Sequence, residues 1–476
     1  MVSQSGPISL QEAPSSADEV IRGAGMAGIC TAYFLAKNGV SNVLLVDKRY
    51  PLSLTSDKSA ETFRVWWPGE TNRDKFALLN RSVDLIEQIV HESEGMLHMQ
   101  PKGHCHVTAC ASKVTAFQQT AQEYATLGLG PLRVYSEGVA SEEEYLPPSR
   151  AGQDILKGVD LLLDRKLIEA HLAYLPEDTI AIIHDRRSGY FSGHTLGMLL
   201  LEKAKALGVR ELRAEVVDVE QDAQGVCAVK VSGAGGTEVV QTRAFVNAAG
   251  PFVRRVAAML DVDFPVVTGL WEKIVIDAYF FKWFRSALLL VLHDPQRLEW
   301  TEEEAAMWRE DQGYRWLLDE LADGVYIRPE GSAGGRRVLI GWAYNDCPYG
   351  REVDFGEDVG REGAGAACEP CWEPQLSREF PELALRAAVK LVPGFRPYLD
   401  RLPKPMHDGG QFVKTEFEMP LIGPLGVDGA FVVQHDGMVM AGCASGELCA
   451  AWVVGGQLPD YAAGLTLDGH RKVNCR

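Results

Sequence analysis

Val20-Ile21-Arg22-Gly23-Ala24-Gly25-Met26-Ala27-Gly28, followed by Val43-Leu44-Leu45-Val46-Asp47, is the stretch that decides the fold class. Between its two halves Ile29, Ala32, Tyr33, Leu35 and Ala36 keep helical spacing. The pattern is strand, Gly-x-Gly-x-x-Gly, helix, strand, with an acid closing the second strand. Gly23 makes the tight turn, Gly25 lets the backbone approach a pyrophosphate, and Gly28 lets helix and strand pack closely. The helix N-terminus, with Met26 and Ala27, points N–H groups at phosphates. Asp47 stands 19 residues after Gly28, placed to accept hydrogen bonds from a ribose. These parts in register predict a dinucleotide-binding α/β unit, and the motif alone leaves NAD and FAD both open.

The rest of the chain sets bounds around that unit. At 476 residues it is long enough for two domains, or one with a second inserted, and 46% hydrophobic residues supply a sizeable core. A net charge of −18 argues against nucleic acid and anionic membrane as partners. The ten cysteines are scattered, several in apolar runs, and read as reduced thiols. Residues 1–16 are polar, with no signal-peptide pattern, and predict a flexible N-terminus. No apolar run reaches membrane-spanning length, and a cytoplasmic location is expected.

After Asp47, Lys48-Arg49-Tyr50-Pro51 is a turn, and residues 54–69 form a long polar and aromatic connection of the kind that carries function. Helices are predicted at 76–90, 115–127 and 194–207, the last closed by Gly208. Residues 96–109 read as a strand pair turned at Lys102-Gly103, and 140–147 and 161–176 as two short helices. Strands follow at 211–219 and 226–231, and Ala244 to Gly250 is a buried-type strand ending in small residues, placed beside the opening strand. Residues 265–344 change texture to an antiparallel sheet around one helix, 301–321, opened by Thr301. Residues 345–373 read as a surface insertion, and Cys368 with Cys371 is too little for a metal site, so none is predicted. A glycine-bounded segment, 436–447, leads into a last helix.

Four stretches together resemble the D-amino-acid oxidase, glycine oxidase and sarcosine oxidase superfamily: 23–28 with Asp47, the loop 55–69, Val246-Asn247-Ala248-Ala249-Gly250-Pro251, and Pro420-Leu421-Ile422-Gly423 with 437–447. The resemblance implies a Rossmann-type, glutathione-reductase-like FAD domain, discontinuous over 17–95, 150–260 and 405–465. It also implies an α+β substrate domain of antiparallel sheet from 96–149 and 261–404. The implied reaction is oxidation of an amino acid or secondary amine to the imine by hydride transfer to flavin N5, with oxygen or another acceptor taking the electrons. The flavin carries the redox chemistry, so no acid–base triad is required.

By the same resemblance Gly23, Gly25 and Gly28 hold the pyrophosphate, Asp47 the ribose, and Lys48 or Arg49 lies along the adenine. Ser56, Lys58 and Ser59 line the phosphates and the ring system, and Val216 or Val217 offers backbone to the adenine. Ala249 and Gly250 lie near the ribityl chain, and Gly437, Met438 and Val439 near the flavin pyrimidine. Arg64 matches an arginine that clamps a substrate carboxylate, its alternative being a solvated loop position or a phosphate contact. Lys273 and Lys282 lie in the substrate sheet, where a lysine over the flavin can assist oxygen reduction; surface positions are the alternative. Trp66 and Trp67 are assigned to the domain interface or the site wall, and His104 and His106 to ordinary polar positions.

Three departures stand out. Arg22 occupies a buried aliphatic's place and predicts an irregular first strand. Asp436-Gly437-Met438 lacks the usual small residues, and Met440 stands where a second cation for the substrate carboxylate is expected. No cysteine occurs in 410–415, so FAD is predicted to be non-covalent. Two other functions stay open: a flavin-binding assembly factor with little turnover, and a hydroxy-acid or polyol dehydrogenase passing electrons to a quinone.

Overall fold

A computed structural model describes residues 12–69, 71–138, 144–147, 157–278, 289–331, 336–343, 375–401, 404–415, 418–435 and 437–473. The opening stretch folds as β1 (Glu19–Arg22), α1 (Met26–Lys37) and β2 (Val43–Asp47). β1 pairs in parallel with β2 on one side and with Ala244–Asn247 on the other. The sheet among the described residues has six strands, running Leu421–Pro424, Ala430–Gln434, Ala244–Asn247, β1, β2, Arg210–Arg213. All its neighbours are parallel except the first pair. β2 carries a continuous apolar run, and β1 the buried pair Val20-Ile21 between Glu19 and Arg22, because both sheet faces are covered.

α1 is apolar all round: Met26 to Ala36 are buried. It packs against Gly442–Val453 and Gly193–Ala206. Small residues allow the first approach, since a Cβ on Gly446 would come within 2.6 Å of the Thr31 backbone nitrogen. The other face is covered by a three-stranded antiparallel meander, Glu215–Asp222, Gly225–Gly233 and Gly236–Gln241.

The second sheet has nine strands in the order Met406–Thr415, Val266–Asp277, Arg337–Gly341, Tyr326–Glu330, Leu289–Leu292, His104–Thr108, Ala181–Asp185, Val159–Leu162, Leu132–Tyr135. Helix Phe380–Leu391 covers one face with Leu383, Ala384, Ala387 and Leu391, against Ile274, Ile276, Val338 and Ile340. The Thr301 capping box forms as expected, but the helix ends at Glu310, and a separate short turn covers Arg315–Leu318.

Several expectations are corrected by strand pairing. Val159–Leu162 and Ala181–Asp185 lie in the nine-stranded sheet, not with the dinucleotide fold, and Met406–Thr415 joins the same sheet. Residues 96–109 give one strand, because Gln100 instead bridges to Tyr190. The expected flexible N-terminus is pinned where it is described: Ser16 bridges to Gln241, and the Ala13 N–H donates to Glu238 at 3.0 Å. β1 is regular despite Arg22, with pairs Arg22↔Asn247 and Arg22↔Val46 continuing the register. Residues 345–373, including Cys368 and Cys371, lie outside the described residues, as does Lys282. No described helix is long and apolar enough to cross a membrane.

Candidate active site

The turn after β1 is built by steric exclusion. A Cβ on Gly28 would stand 1.8 Å from the Gly23 carbonyl oxygen, and one on Gly23 2.3 Å from the Ala248 carbonyl oxygen. Only glycine tolerates either contact, and Gly23 also has φ of 111°. At Gly25 the nearest atom to such a Cβ is Ser56 Oγ at 3.3 Å, so this position opens into a groove. Gly25 is the N-cap of α1 and offers no side chain, and no acid stands in the first turn. The Met26 N–H donates to Ser56 Oγ at 3.0 Å. The helix start is thus dressed for an anion.

Asp47 braces this turn from β2. Its carboxylate accepts from the Ala24 N–H at 2.7 Å and the Arg49 N–H at 2.8 Å, and burial raises its pKa. The groove is lined by Gly23 to Gly25, Asp47 to Tyr50, Ser56, Glu215 and Val216, and Ala248 to Phe252. Lys48 closes part of it with Glu215 at 3.0 Å. Val216 faces this groove, whereas Val217 is 41% exposed because a bulge between Val216 and Asp218 turns it outward. The Ala249–Gly250 turn is held by Asn247, whose amide donates to the Val253 carbonyl at 2.8 Å.

The loop after β2 turns from the groove to the nine-stranded sheet. Ser56 stays with α1, but Lys58 pairs with Asp57 at 2.9 Å and Asp408 at 3.1 Å, and Ser59 Oγ accepts from the Glu61 N–H. Lys273 Nζ donates to the carbonyls of Lys58 and Ser59 at 2.8 and 2.7 Å, and Arg328 Nε to that of Ala60 at 2.9 Å. Two buried cations of the sheet therefore hold three consecutive carbonyls of the loop. Nothing in the local pattern of the strand Tyr326–Glu330 marked Arg328 for this part.

Between loop and sheet lies a cavity of about 540 Å³, lined among others by Arg64, Trp67, His104, Phe117, Trp271, His293 and Tyr326. The Arg64 N–H is anchored on Met440 Sδ at 3.2 Å, so the C-terminal segment meets the loop here. Its guanidinium lies 4.1 Å from the centre of the Trp67 ring and, among the described residues, makes no hydrogen bond or ion pair. Burial lowers the Arg64 pKa to about 10, partly offset by Asp185, which leaves it charged at neutral pH. The two tryptophans divide the roles: Trp67 lines the cavity, while Trp66 is buried against His106 and Phe117.

His104 and His106 are fully buried rather than ordinary polar residues. His104 Nε2 donates to the Gly189 carbonyl at 3.0 Å, which makes Nδ1 the unprotonated nitrogen. His106 Nδ1 and His293 Nε2 share a hydrogen bond at 2.7 Å. Burial, reinforced by Arg64, pushes the pKa values of His104 and His293 down to about 3, so both imidazoles are neutral. The strand alternation at His104 and His106 was visible in sequence; His293, 187 residues from His106, was not.

Gly437 has φ of 68° and packs on Phe412, Met438 N–H bonds the His435 carbonyl, and Val439 is buried beside Gly193. Asp436 lies outside the described residues. No group of three or more metal-ligating side chains occurs among the described residues.

The glycine-walled groove at the start of α1 has the features of a dinucleotide-binding site, and a separate cavity lies under the mixed nine-stranded sheet; the cradle fits FAD. Residues 18–455 match the DAO family, FAD dependent oxidoreductase, and the chain belongs to that family. It is similar to human mitochondrial dimethylglycine dehydrogenase, 22% identical over 348 residues that make up 72% of this chain and 34% of the relative. The chain thus spans about a third of that relative's length. Among solved structures it resembles L-proline dehydrogenase from P. horikoshii, with a TM-score of 0.69 and 14% identity over 97% of this chain and 99% of that one. It also resembles glycine oxidase from Geobacillus kaustophilus, with a TM-score of 0.67 and 17% identity over 95% and 99% of the two chains.

Proposed function

We propose that this enzyme oxidises an amino acid or secondary amine that carries a carboxylate, and that Arg64 receives the carboxylate. The observation that carries the reading is the Arg64 guanidinium, stacked on Trp67 in the cavity with no hydrogen-bonded or ion-paired partner among the described residues. A planar fork held on one face presents its edge to a carboxylate in two parallel hydrogen bonds. When bound, FAD supplies the acceptor, at N5, for the hydride leaving the carbon next to the amine nitrogen; the imine is then hydrolysed by water.

The remaining groups shape the amine's state. Lys113 is paired with Asp323, and His104 and His293 are neutral, so among the described residues of this wall Arg64 is the cation without an ion-paired partner. A neighbouring cation lowers the pKa of an ammonium and favours the free amine that hydride loss requires. Met440 supplies no second cation; it fixes the Arg64 backbone instead. Trp271 and Tyr326 offer aromatic faces to a substrate substituent in this cavity.

The test is anaerobic addition of carboxylate-bearing amines, amines without carboxylate, hydroxy acids and polyols to the FAD-loaded protein, watching flavin absorbance. Bleaching by the first group supports the reading, and admitting oxygen then separates an oxidase from a dehydrogenase. Bleaching by hydroxy acids or polyols alone, or none at all, overturns it.

A further inference from the structure

Arg22 closes β1 at the centre of the six-stranded sheet, where an aliphatic side chain would pack without cost. It shares a sheet face with Val20, whose neighbours Val46, Ala214 and Val216 form the core beneath the meander. Arg22 is only 9% exposed, and what remains exposed lines the groove beside Asp47, Glu215 and Phe252. No hydrogen bond or ion pair to its guanidinium exists among the described residues.

The surrounding charges are already engaged. Asp47 holds the Ala24 and Arg49 N–H groups, and Glu215 is paired with Lys48. Burial lowers the Arg22 pKa to about 10; Asp47 and Glu215 pull it back up, and Arg255 adds to the lowering. A buried cation without a partner is costly, and a folded chain keeps one where a ligand completes it. Arg22 pairs in register with Val46, so it stands beside Asp47 at the end of β2 and, with Glu215 of the meander, lines that end of the groove. A ligand seated there presents ribose oxygens and purine ring nitrogens, which are acceptors, and a guanidinium only donates.

We infer that Arg22 is a direct ligand of the adenosine half of the dinucleotide, donating to its ribose and purine acceptors. The inference rests on FAD as the cofactor and not on the choice of substrate. Arg22 thereby couples cofactor uptake to stability: the apoprotein carries an uncompensated charge that the bound nucleotide satisfies.

R22M and R22Q, purified as apoprotein alongside the parent, test this by thermal melting and by titration with FAD and with AMP alone. The expected result is an apoprotein that melts at a higher temperature in R22M, with FAD and AMP affinities both falling at least tenfold in each variant. Should R22M fail to fold, the R22Q titrations decide. Unchanged FAD and AMP affinity, or loss of FAD affinity with AMP binding intact, overturns the inference while leaving the family assignment standing. A parent protein that takes up no FAD overturns both.

Discussion

The Lys273 ammonium donates to the Ser59 carbonyl at 2.7 Å, tying the nine-stranded sheet to the loop that begins on the nucleotide groove. Its second hydrogen bond goes to the Lys58 carbonyl, and burial lowers its pKa. These two bonds make it a brace for the loop that leads to Arg64. K273M removes both and leaves two carbonyls unsatisfied, for an expected loss of about 2–3 kcal/mol. Thermal melting of the FAD-loaded variant several degrees below the parent checks this; an unchanged melting temperature would remove the brace.

Gly28→Ala places a methyl 1.8 Å from the Gly23 carbonyl, so α1 must move away from the end of β1. The expected outcome is destabilisation by about 3 kcal/mol or more and purification without flavin. Gly39→Ala is the control: the space there is open, so only its φ of 92° is strained. It should keep the yellow colour. Absorbance at 450 nm relative to 280 nm reads both.

Acid should unfold the protein early. His104 and His293 are held neutral down to about pH 3, whereas an unfolded histidine takes up its proton near pH 6.5. Between these values the unfolded chain binds more protons, so stability is intact above about pH 6.5 and falls as pH drops toward 3, by about 1.4 kcal/mol per pH unit for each histidine. Denaturant unfolding at pH 7.5 and 5.5 measures the slope, and H104N with H293N should reduce it without abolishing it, since burial also lowers the pKa values of His106, His184 and His435. An equal slope in the double variant would assign the acid sensitivity elsewhere.

The nucleotide groove was legible because its determinants are local: Gly23, Gly28 and Asp47 lie within one strand-helix-strand unit, and each glycine answers to a backbone contact. Asn247 to Gly250 was legible for the same reason, as a strand running out into small residues. The substrate sheet was legible in part: Val266–Asp277, Leu289–Leu292, Tyr326–Glu330 and Arg337–Gly341 fall in the segment read as antiparallel sheet. Its other strands come from distant segments, and Val159–Leu162, paired with Ala181–Asp185, overlaps the start of a segment, 161–176, read as helix. Pairing of that kind depends on tertiary partners more than on local propensity. The cavity wall was half legible: Arg64 could be proposed by resemblance, but His104 became informative only beside His293 and Arg64. Arg22 was visible as an anomaly, and only the groove showed which way it faces.

The central claim is that Arg64 recognises a substrate carboxylate, and the most direct measurement is anaerobic stopped-flow reduction of the bound flavin in the parent and in R64M. Each is mixed with an N-alkyl amino acid and with the same amine lacking its carboxylate. The account predicts that the parent prefers the acid strongly, and that R64M loses about 100- to 1,000-fold in reduction efficiency with the acid and little with the plain amine. An R64M protein reduced by the acid as efficiently as the parent, its preference intact, would contradict it.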